Sequence, residues 1–271
     1  SKGGSQRDVF HIPRQGAGQV VLLGAPNVGK SAIVGAMTRA QVRVEDFPFT
    51  THAPVPGMAM HEDVPIQLVD MPPVTTDHVM PGMYGALRSA DVLMVVINAA
   101  GDDLIEELDI AEKVMAARDM VLSSRLEEAS QIDDDGRQVC KALIVATRYD
   151  LPAARDNLAM LSELRGDDRL KIIPVSAATG ENLPALAAAL FELLQVIRIY
   201  AKPPGKKPDM TSPFIIPAGG TVADLARSIH RGLAEHLRYA RVWGAGVHDG
   251  QQVTHDHVLQ DKDVVELHMA E

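Results

Sequence analysis

The feature that most constrains this chain is a glycine-rich turn near its beginning. Residues 24–31 read Gly-Ala-Pro-Asn-Val-Gly-Lys-Ser, which fits the pattern G-x-x-x-x-G-K-S. The apolar run Gln19–Leu23 precedes this turn, and residues 31–38 have helical character. A turn of this kind between a strand and a helix directs backbone N–H groups at phosphate. We therefore predict a P-loop in an α/β domain.

The pattern also assigns chemistry to its residues. Lys30 is predicted to neutralise the β and γ phosphates of a nucleotide, and the Ser31 hydroxyl to bind Mg²⁺. The alternative, a glycine-rich turn with an exposed lysine, leaves the flanking strand and helix unexplained. The predicted nucleotide contacts in this segment are Gly24, Ala25, Pro26, Asn27, Val28, Gly29, Lys30, Ser31 and Ala32.

Apolar and amphipathic segments alternate after the P-loop. Strands are predicted at 66–70, 92–97, 142–146 and 171–175, and helices at 104–120, 156–164 and 182–199. This alternation is typical of a mostly parallel sheet that is covered by helices on both faces. We predict one α/β domain over residues 18–202, with a polar surface insertion at 123–138.

A basic, proline-rich segment at 202–208 predicts a domain boundary. Beyond it, short strand-like pieces flank one predicted helix over residues 222–235, which indicates a small α+β domain at 209–271. Arg227 and Arg231 lie four residues apart on that helix, which predicts a small cationic patch that could contact phosphate or could equally be solvated surface. Trp243, the only tryptophan, is predicted to anchor the core; an exposed position would instead indicate base stacking.

Composition limits the class of protein. The formal net charge of −10 argues against nucleic-acid binding by bulk electrostatics, so any RNA contact must be local. A single cysteine excludes a disulfide framework, and no long apolar run indicates a membrane span. The acidic runs at 102–107 and 132–135 are interpreted as solvated surface. We expect a cytoplasmic monomer with no membrane partner.

Three more motifs follow the predicted strands. Asp70 ends a strand, where a carboxylate can hold Mg²⁺-bound water near the γ phosphate. Residues Phe47–Thr51 fit a switch loop whose threonine reaches Mg²⁺ only when that phosphate is present. Asp150 can accept the N1 and N2 hydrogens of guanine, which adenine does not present. Taken alone, each motif could also be an ordinary strand-terminal acid or loop.

The ordered set of motifs resembles that of translation-factor-class GTPases. Phe47–Thr51 resembles the switch of the Obg superfamily, and residues 197–205 and 239–244 look like the developmentally regulated GTP-binding (DRG) group. Residues 210–269 resemble the TGS domain, a β-grasp module. The resemblance implies a P-loop GTPase domain followed by a small α+β domain that docks to the ribosome or RNA.

The same resemblance implies the ligands and their contacts. GTP or GDP would bind with Mg²⁺, which Ser31, Thr51 and Asp70 would hold, with Thr51 the ligand from the switch. The base would be bound by a set that follows two of the predicted strands. Its members are Thr147, Arg148, Asp150, Ser176 and Ala177.

The chain departs from the family pattern at three places. The family's Asp-x-Pro-Gly ends here in Pro73, which has no N–H for the γ phosphate. Its Asn-Lys-x-Asp begins here with Thr147 and Arg148, which replaces the asparagine amide with a shorter hydroxyl and the lysine with a bulkier guanidinium. Val74 occupies the place of a water-orienting glutamine, so we predict slow hydrolysis.

Resemblance to GTPases with a hydrophobic residue at that place implies a K⁺ ion. Asn27 would hold K⁺ against the phosphates, and the predicted catalytic residues are Asn27, Lys30 and Thr51. The alternative is that Asn27 only shapes the turn. The sequence thus predicts a slow, Mg²⁺-dependent GTPase. A nucleotide-binding regulator with little or no hydrolysis, or a scaffold without nucleotide, are the alternatives.

Overall fold

The computed structural model describes residues 9–38, 53–129, 131–166 and 169–270. The chain divides into two compact units. The first consists of the described residues of Ser1–His61 and of Pro65–Leu194; the second consists of Glu62–Val64 and the described residues of Gln195–Glu271. No helix in these described ranges is long and apolar enough to cross a membrane.

The first unit is built on a seven-stranded sheet. Its strands are β1 (Gln19–Leu23), β2 (Val55–His61), β3 (Val64–Asp70), β4 (Val92–Asn98), β5 (Met120–Ser123), β6 (Gln138–Thr147) and β7 (Ile172–Pro174). The strand order is β2-β3-β1-β4-β6-β5, and β7 also pairs with β6. β1 runs parallel to β3 and β4, and β6 runs parallel to β4, β5 and β7. The predicted α/β class is confirmed.

Helices pack against this sheet. They are α1 (Lys30–Met37), α2 (Met83–Ser89), α3 (Leu104–Ala116), α4 (Ala153–Arg165) and α5 (Leu183–Leu194). Every residue of β1 is buried, as are all but the last of β4, which is expected of central parallel strands with both faces covered. Parallel strands end at the same edge of a sheet. The segments that follow β1, β3, β4 and β6 therefore meet there.

The structure corrects two segments of the predicted pattern. The helix predicted at 182–199 ends at Leu194, and β8 (Val196–Ala201) follows it as a strand of the second unit. In β8, apolar Ile197 and Ile199 alternate with polar side chains, a strand pattern that directly continues a helical one. The predicted insertion contains the end of β5; residues 124–137 connect β5 to its parallel neighbour β6, which requires a crossover of this length.

The second unit contains a five-stranded sheet and two helices. Besides β8, its strands are β9 (Phe214–Pro217), β10 (Leu237–Trp243), β11 (Gln251–Val253) and β12 (Val264–Met269), and its helices are α6 (Val222–Ile229) and α7 (Arg231–Glu235). The strand order is β11-β10-β12-β8-β9, with β8 and β12 parallel and the other pairs antiparallel. This confirms the predicted small α+β domain.

A buried arginine explains why residues 62–64 belong to the second unit. The Arg198 side chain is 3% exposed and forms ion pairs with Glu62, Asp63 and Asp261. Tyr200 donates a hydrogen bond from its hydroxyl to the Asp63 carboxylate at 2.5 Å. An arginine fork can satisfy several carboxylates at once, which offsets the desolvation of its charge.

Two predictions for the second unit were wrong. The helix predicted at 222–235 is divided, because His230 is extended (φ −161°) and begins α7, so Arg227 and Arg231 lie on different helices. Arg227 pairs instead with Asp224 on its own helix. Trp243 is partly exposed and is not among the core residues of this unit.

Candidate functional site

The P-loop, residues 24–31, turns from β1 into the first turn of α1. Gly29 precedes the helix with φ 99°, and no side chain of the described residues caps the helix. A Cβ on Gly24 would lie 2.7 Å from the Val96 carbonyl oxygen, so only glycine fits there. The free N–H groups and the helix dipole make this end of α1 attractive to an anion.

Lys30 lies beneath the loop. Its side chain is buried, and Nζ donates hydrogen bonds to the carbonyl oxygens of Gly24 (2.9 Å) and Ala25 (3.0 Å). Burial lowers the pKa of Lys30 to about 8, although the negative charges of Asp70 and Glu107 oppose this shift. A buried cation beside an uncapped helix end is suited to meet a phosphate group.

Ser31 and Asp70 form a pair on the other side of the loop. The Ser31 hydroxyl donates to Asp70 Oδ2 at 2.5 Å, whereas Asp70 Oδ1 is buried without a hydrogen-bond partner among the described residues. Burial raises the pKa of Asp70, and the Ser31 hydrogen bond and the Lys30 charge only partly counter it. An unsatisfied carboxylate oxygen is costly in a folded protein, and Mg²⁺ prefers oxygen ligands. The pair therefore fits a Mg²⁺ site.

Two cavities adjoin at the P-loop. The first, of about 510 Å³, is the phosphate-side cavity and is lined by Pro26, Asn27, Gly29, Lys30, Ser31, Ala32, Ala53, Val55, Asp70, Met71, Pro73 and Arg148. The second, of about 560 Å³, is the base-side cavity and is lined by Gly29, Ala32, Ile33, Ala36, Thr147, Arg148, Asp150, Leu151, Ser176, Ala177 and Ala178. They share Gly29, Ala32 and Arg148. Thr51 and the other residues of the predicted switch, Phe47–Thr51, lie outside the described residues.

Thr147 connects the end of β6 to the P-loop. It is 3% exposed, and its hydroxyl lies 2.6 Å from the carbonyl oxygen of Val28 and 3.1 Å from that of Ile97. A hydroxyl has one hydrogen to donate. Because both neighbours are acceptors, this hydrogen is used to hold the loop and is not directed into the base-side cavity.

Arg148 supports the same loop from its exposed side. It adopts a left-handed backbone conformation (φ 57°), and its Nη2 donates to the carbonyl oxygen of Asn27 at 2.9 Å. The guanidinium borders both cavities. Thr147 and Arg148, which differ from the family pattern in residue type, thus both contact the P-loop backbone.

The remaining residues predicted for the base lie together. Asp150 is exposed on the wall of the base-side cavity. The described residues that line this cavity include no buried cation. Ser176 is buried, and its hydroxyl accepts from the Thr179 backbone N–H at 3.1 Å, which closes a turn that also presents Ala177. The structure therefore brings one accessible carboxylate next to a tight backbone turn.

The segment after Asp70 borders the phosphate-side cavity at Pro73, as the P-loop does, but its side chains are apolar. Pro73 is exposed on the phosphate-side cavity. The Val74 side chain is fully buried in the core of the first unit, and its backbone N–H donates to the Gly24 carbonyl at 3.2 Å. Neither residue offers the cavity a polar side chain.

The sequence did not indicate Glu107. It belongs to the acidic run interpreted as solvated surface, yet it is half-buried and accepts a hydrogen bond from the Asn98 N–H at 2.6 Å. Burial raises its pKa. Asn98 is paired with Thr147 across β4 and β6, so Glu107 supports the strand ends behind the P-loop. Its spacing three residues after buried Leu104 was the available signal.

Comparison with known proteins agrees with this geometry. The sequence profile of a family described as 50S ribosome-binding GTPase matches residues 19–126, and that of the TGS domain matches residues 197–269. The solved YchF GTPase of Schizosaccharomyces pombe has a TM-score of 0.62 and covers 94% of this chain and 99% of its own. Its sequence identity is 12%, so it shows a shared fold alone.

Relatives align along most of the chain. A GTP-binding protein of Halobacterium salinarum is 30% identical over 95% of this chain and 85% of its own length. Developmentally-regulated GTP-binding protein 1 of Xenopus laevis is 27% identical over 98% of this chain and 86% of its own length. The chain therefore belongs to the P-loop GTP-binding proteins of the Obg/DRG type that carry a C-terminal TGS domain.

Proposed function

We propose that this protein binds GTP and GDP together with Mg²⁺ and hydrolyses GTP slowly. The observation that carries the proposal is the combination of buried Lys30, at the start of α1, with an Asp70 oxygen that is buried without a hydrogen-bond partner among the described residues. The first feature calls for an anion and the second for a hard cation. A nucleotide phosphate with its Mg²⁺ supplies both.

Each part of the phosphate-side cavity then has a role. The P-loop backbone and Lys30 bind the phosphates, and Ser31 and Asp70 hold Mg²⁺, with Thr51 as the expected third ligand. When bound, Mg²⁺ would neutralise negative charge on the β and γ phosphates. Lys30 must be protonated for its part, and its lowered pKa of about 8 leaves it mostly charged near neutral pH.

Guanine selectivity is assigned to Asp150. An ionised carboxylate only accepts hydrogen bonds, so it pairs with the N1 and N2 hydrogens of guanine, which adenine does not present. Ser176 and Ala177 would contact the base through their turn. Thr147 and Arg148 would act mainly on the P-loop, since the contacts they make are to Val28 and Asn27.

Slow hydrolysis follows from the segment after Asp70. Val74 is buried and apolar, so it does not orient water, and Pro73 has no N–H to offer the γ phosphate. We propose that K⁺ at Asn27 contributes part of the missing charge stabilisation. Asn27 is exposed, has φ 64° and lines the phosphate-side cavity.

Hydrolysis measured in K⁺ and in Na⁺ tests this proposal. We expect single-turnover cleavage of GTP to be faster in K⁺ by about 100-fold, the effect of one charge-stabilising group in the transition state. Asn27→Ala should abolish the K⁺ effect and keep GDP binding, whereas Glu163→Ala, at an exposed position of α4 outside both cavities, should keep both. GTP binding without turnover in either salt would favour the alternative, a regulator with little or no hydrolysis.

We further propose that the protein is a cytoplasmic monomer that associates with ribosomes or RNA through its TGS domain. The description of the matching family, 50S ribosome-binding GTPase, and the presence of a TGS domain support this association. Cosedimentation with ribosomes at rising salt concentration tests it. Failure to sediment at low salt would contradict it without affecting the nucleotide-binding proposal.

A further inference from the structure

A groove of about 760 Å³ lies between α3 and α4 of the first unit. It shares no lining residue with the two cavities at the P-loop. Leu108 and Leu161, which belong to the core of this unit, line it from the two helices. Ile105 of α3 and Leu164 of α4 also line it, although they are 42% and 65% exposed. We call this cavity the α3–α4 groove.

The exposed apolar residues of the groove differ from ordinary surface residues. Single exposed aliphatic side chains are common on folded proteins. Ile132, in the crossover between β5 and β6, is such a residue, because it is 65% exposed and does not line the groove. Ile105 and Leu164 instead line one cavity from two helices, and buried apolar residues line the same cavity. Covering them would remove a joint apolar surface from water, which favours association.

The groove is also acidic. Five acids line it, against two bases. Both bases are already paired, Lys113 with Asp109 at 2.6 Å and Arg165 with Glu112 at 2.9 Å. The other three acids are exposed and form no ion pair among the described residues; they are Asp102, Asp103 and Glu106. The groove therefore has an excess of negative charge beside its apolar residues.

The sequence of α3 places acids and Ile105 on the same side. Asp109 and Glu112 lie four and seven residues after Ile105, so the three share one face of the helix. Acids near the start of a helix are also favoured by its dipole. The dipole accounts for acids such as Glu106, but it does not account for an exposed isoleucine among them or for Leu164 on the facing helix.

We infer that the α3–α4 groove binds a basic amphipathic helix of a partner protein. Two neighbouring helices form a groove into which a third helix can lay its apolar face. Apolar side chains at helical spacing would cover Ile105 and Leu164, and flanking lysine or arginine would pair with the three acids that lack a partner. The phosphates of a nucleic acid would be repelled by these acids, and a purely cationic chain would leave the apolar residues uncovered.

The full chain can be tested with a synthetic peptide. The probe is a fluorescein-labelled peptide of leucine and lysine, about 18 residues long so that it can form a helix, with leucine at helical spacing. Fluorescence anisotropy should show saturable binding at low salt. A peptide of the same composition in scrambled order should bind at least about tenfold more weakly, because its apolar side chains share no face. A leucine–glutamate peptide should not bind.

Two variants of the groove have matched controls elsewhere in the first unit. Leu164→Ser should weaken binding of the leucine–lysine peptide by about tenfold, as for the loss of an apolar anchor. Ile132→Ser, at an equally exposed residue, should leave binding unchanged. Glu106→Gln should weaken binding by about threefold at low salt and reduce its dependence on salt. Glu127→Gln, at an exposed acid outside the groove, is the control.

Hydrogen exchange locates the bound peptide. Amides of α3 and α4 should exchange more slowly in the complex, and the circular dichroism of each variant shows whether it is folded. If Leu164→Ser does not fold, Glu106→Gln still tests the groove. Equal effects of the groove variants and their controls, equal binding of the scrambled peptide, or protection outside α3 and α4 would overturn the inference. Dimerisation of the parent chain that Leu164→Ser prevents would also overturn it, because the occupant would be a second copy.

Discussion

The phosphate-side and base-side cavities adjoin, but they preserve their geometry in different ways. On the phosphate side, the P-loop keeps every residue of its pattern, and Lys30 and Asp70 are both partly or fully buried. On the base side, Thr147 and Arg148 depart from the pattern and yet hold the loop through Val28 and Asn27. Thr147 and Arg148 thus support the loop although their residue types differ from the pattern, whereas the departure at Pro73, which lines the phosphate-side cavity, removes an N–H that would meet the ligand.

This difference sets where binding energy should lie. The phosphate-side cavity combines a desolvated cation with uncapped N–H groups, in which electrostatic interactions are strengthened. The base-side cavity has one exposed carboxylate, Asp150, whose hydrogen bonds compete with water. We expect the phosphate side to provide most of the affinity and the base side to provide the selectivity.

The largest effect is predicted for Lys30→Ala. Removing the buried cation should weaken GDP binding by at least about 100-fold, which is about 3 kcal/mol. Lys113→Ala, an exposed lysine of α3, should leave affinity unchanged. Isothermal titration calorimetry measures both. A loss of less than about threefold for Lys30→Ala would show that the phosphate side does not dominate.

Asp150→Ala should produce the next largest effect, and a selective one. The affinity for GDP should fall by about 30-fold, because two hydrogen bonds to a charged acceptor are lost, while that for ADP should stay the same. Glu163→Ala on the outside of α4 is the control. Parallel losses for GDP and ADP would mean that Asp150 supports the fold and does not read the base.

The affinity for GDP should fall as pH rises. Lys30 has a pKa of about 8 without ligand, and phosphate binding must raise it, so the complex takes up a proton above that pH. Linkage then predicts about tenfold weaker binding at about pH 9 than at about pH 7. Calorimetry in buffers with different ionisation enthalpies measures the uptake. An affinity that is constant across this range would contradict the assigned burial of Lys30.

The smallest effect is expected from Thr147→Val. Loss of the hydroxyl leaves the Val28 and Ile97 carbonyls with one donor fewer, so GDP binding should weaken by about fivefold, or about 1 kcal/mol. Thr147→Ser retains the hydroxyl and should bind like the parent. Pyrophosphate, which has no base, reports on the phosphate side alone. If Thr147→Val weakened the binding of GDP far more than the binding of pyrophosphate, Thr147 would be a base contact and not a loop support.

The sequence predicted the parts of the site that depend on short patterns. The P-loop, the strand ending at Asp70 and the small α+β domain were all anticipated. The Thr147 hydroxyl could not be assigned, because its partner Val28 lies 119 residues away. Glu107 was concealed within an acidic run, and β8 follows α5 so directly that no residue typical of turns separated its strand pattern from the helical one. Thr51 and the rest of the switch motif lie outside the described residues and stay predictions.

The most direct test of the central claim is calorimetric titration of the parent chain with GDP and with ADP, each in the presence and absence of Mg²⁺. We predict that GDP binds, that Mg²⁺ strengthens its binding, and that ADP binds at least about 100-fold more weakly, as a site that hydrogen-bonds one base rejects another. Equal affinities for GDP and ADP, or no binding of either, would contradict the account.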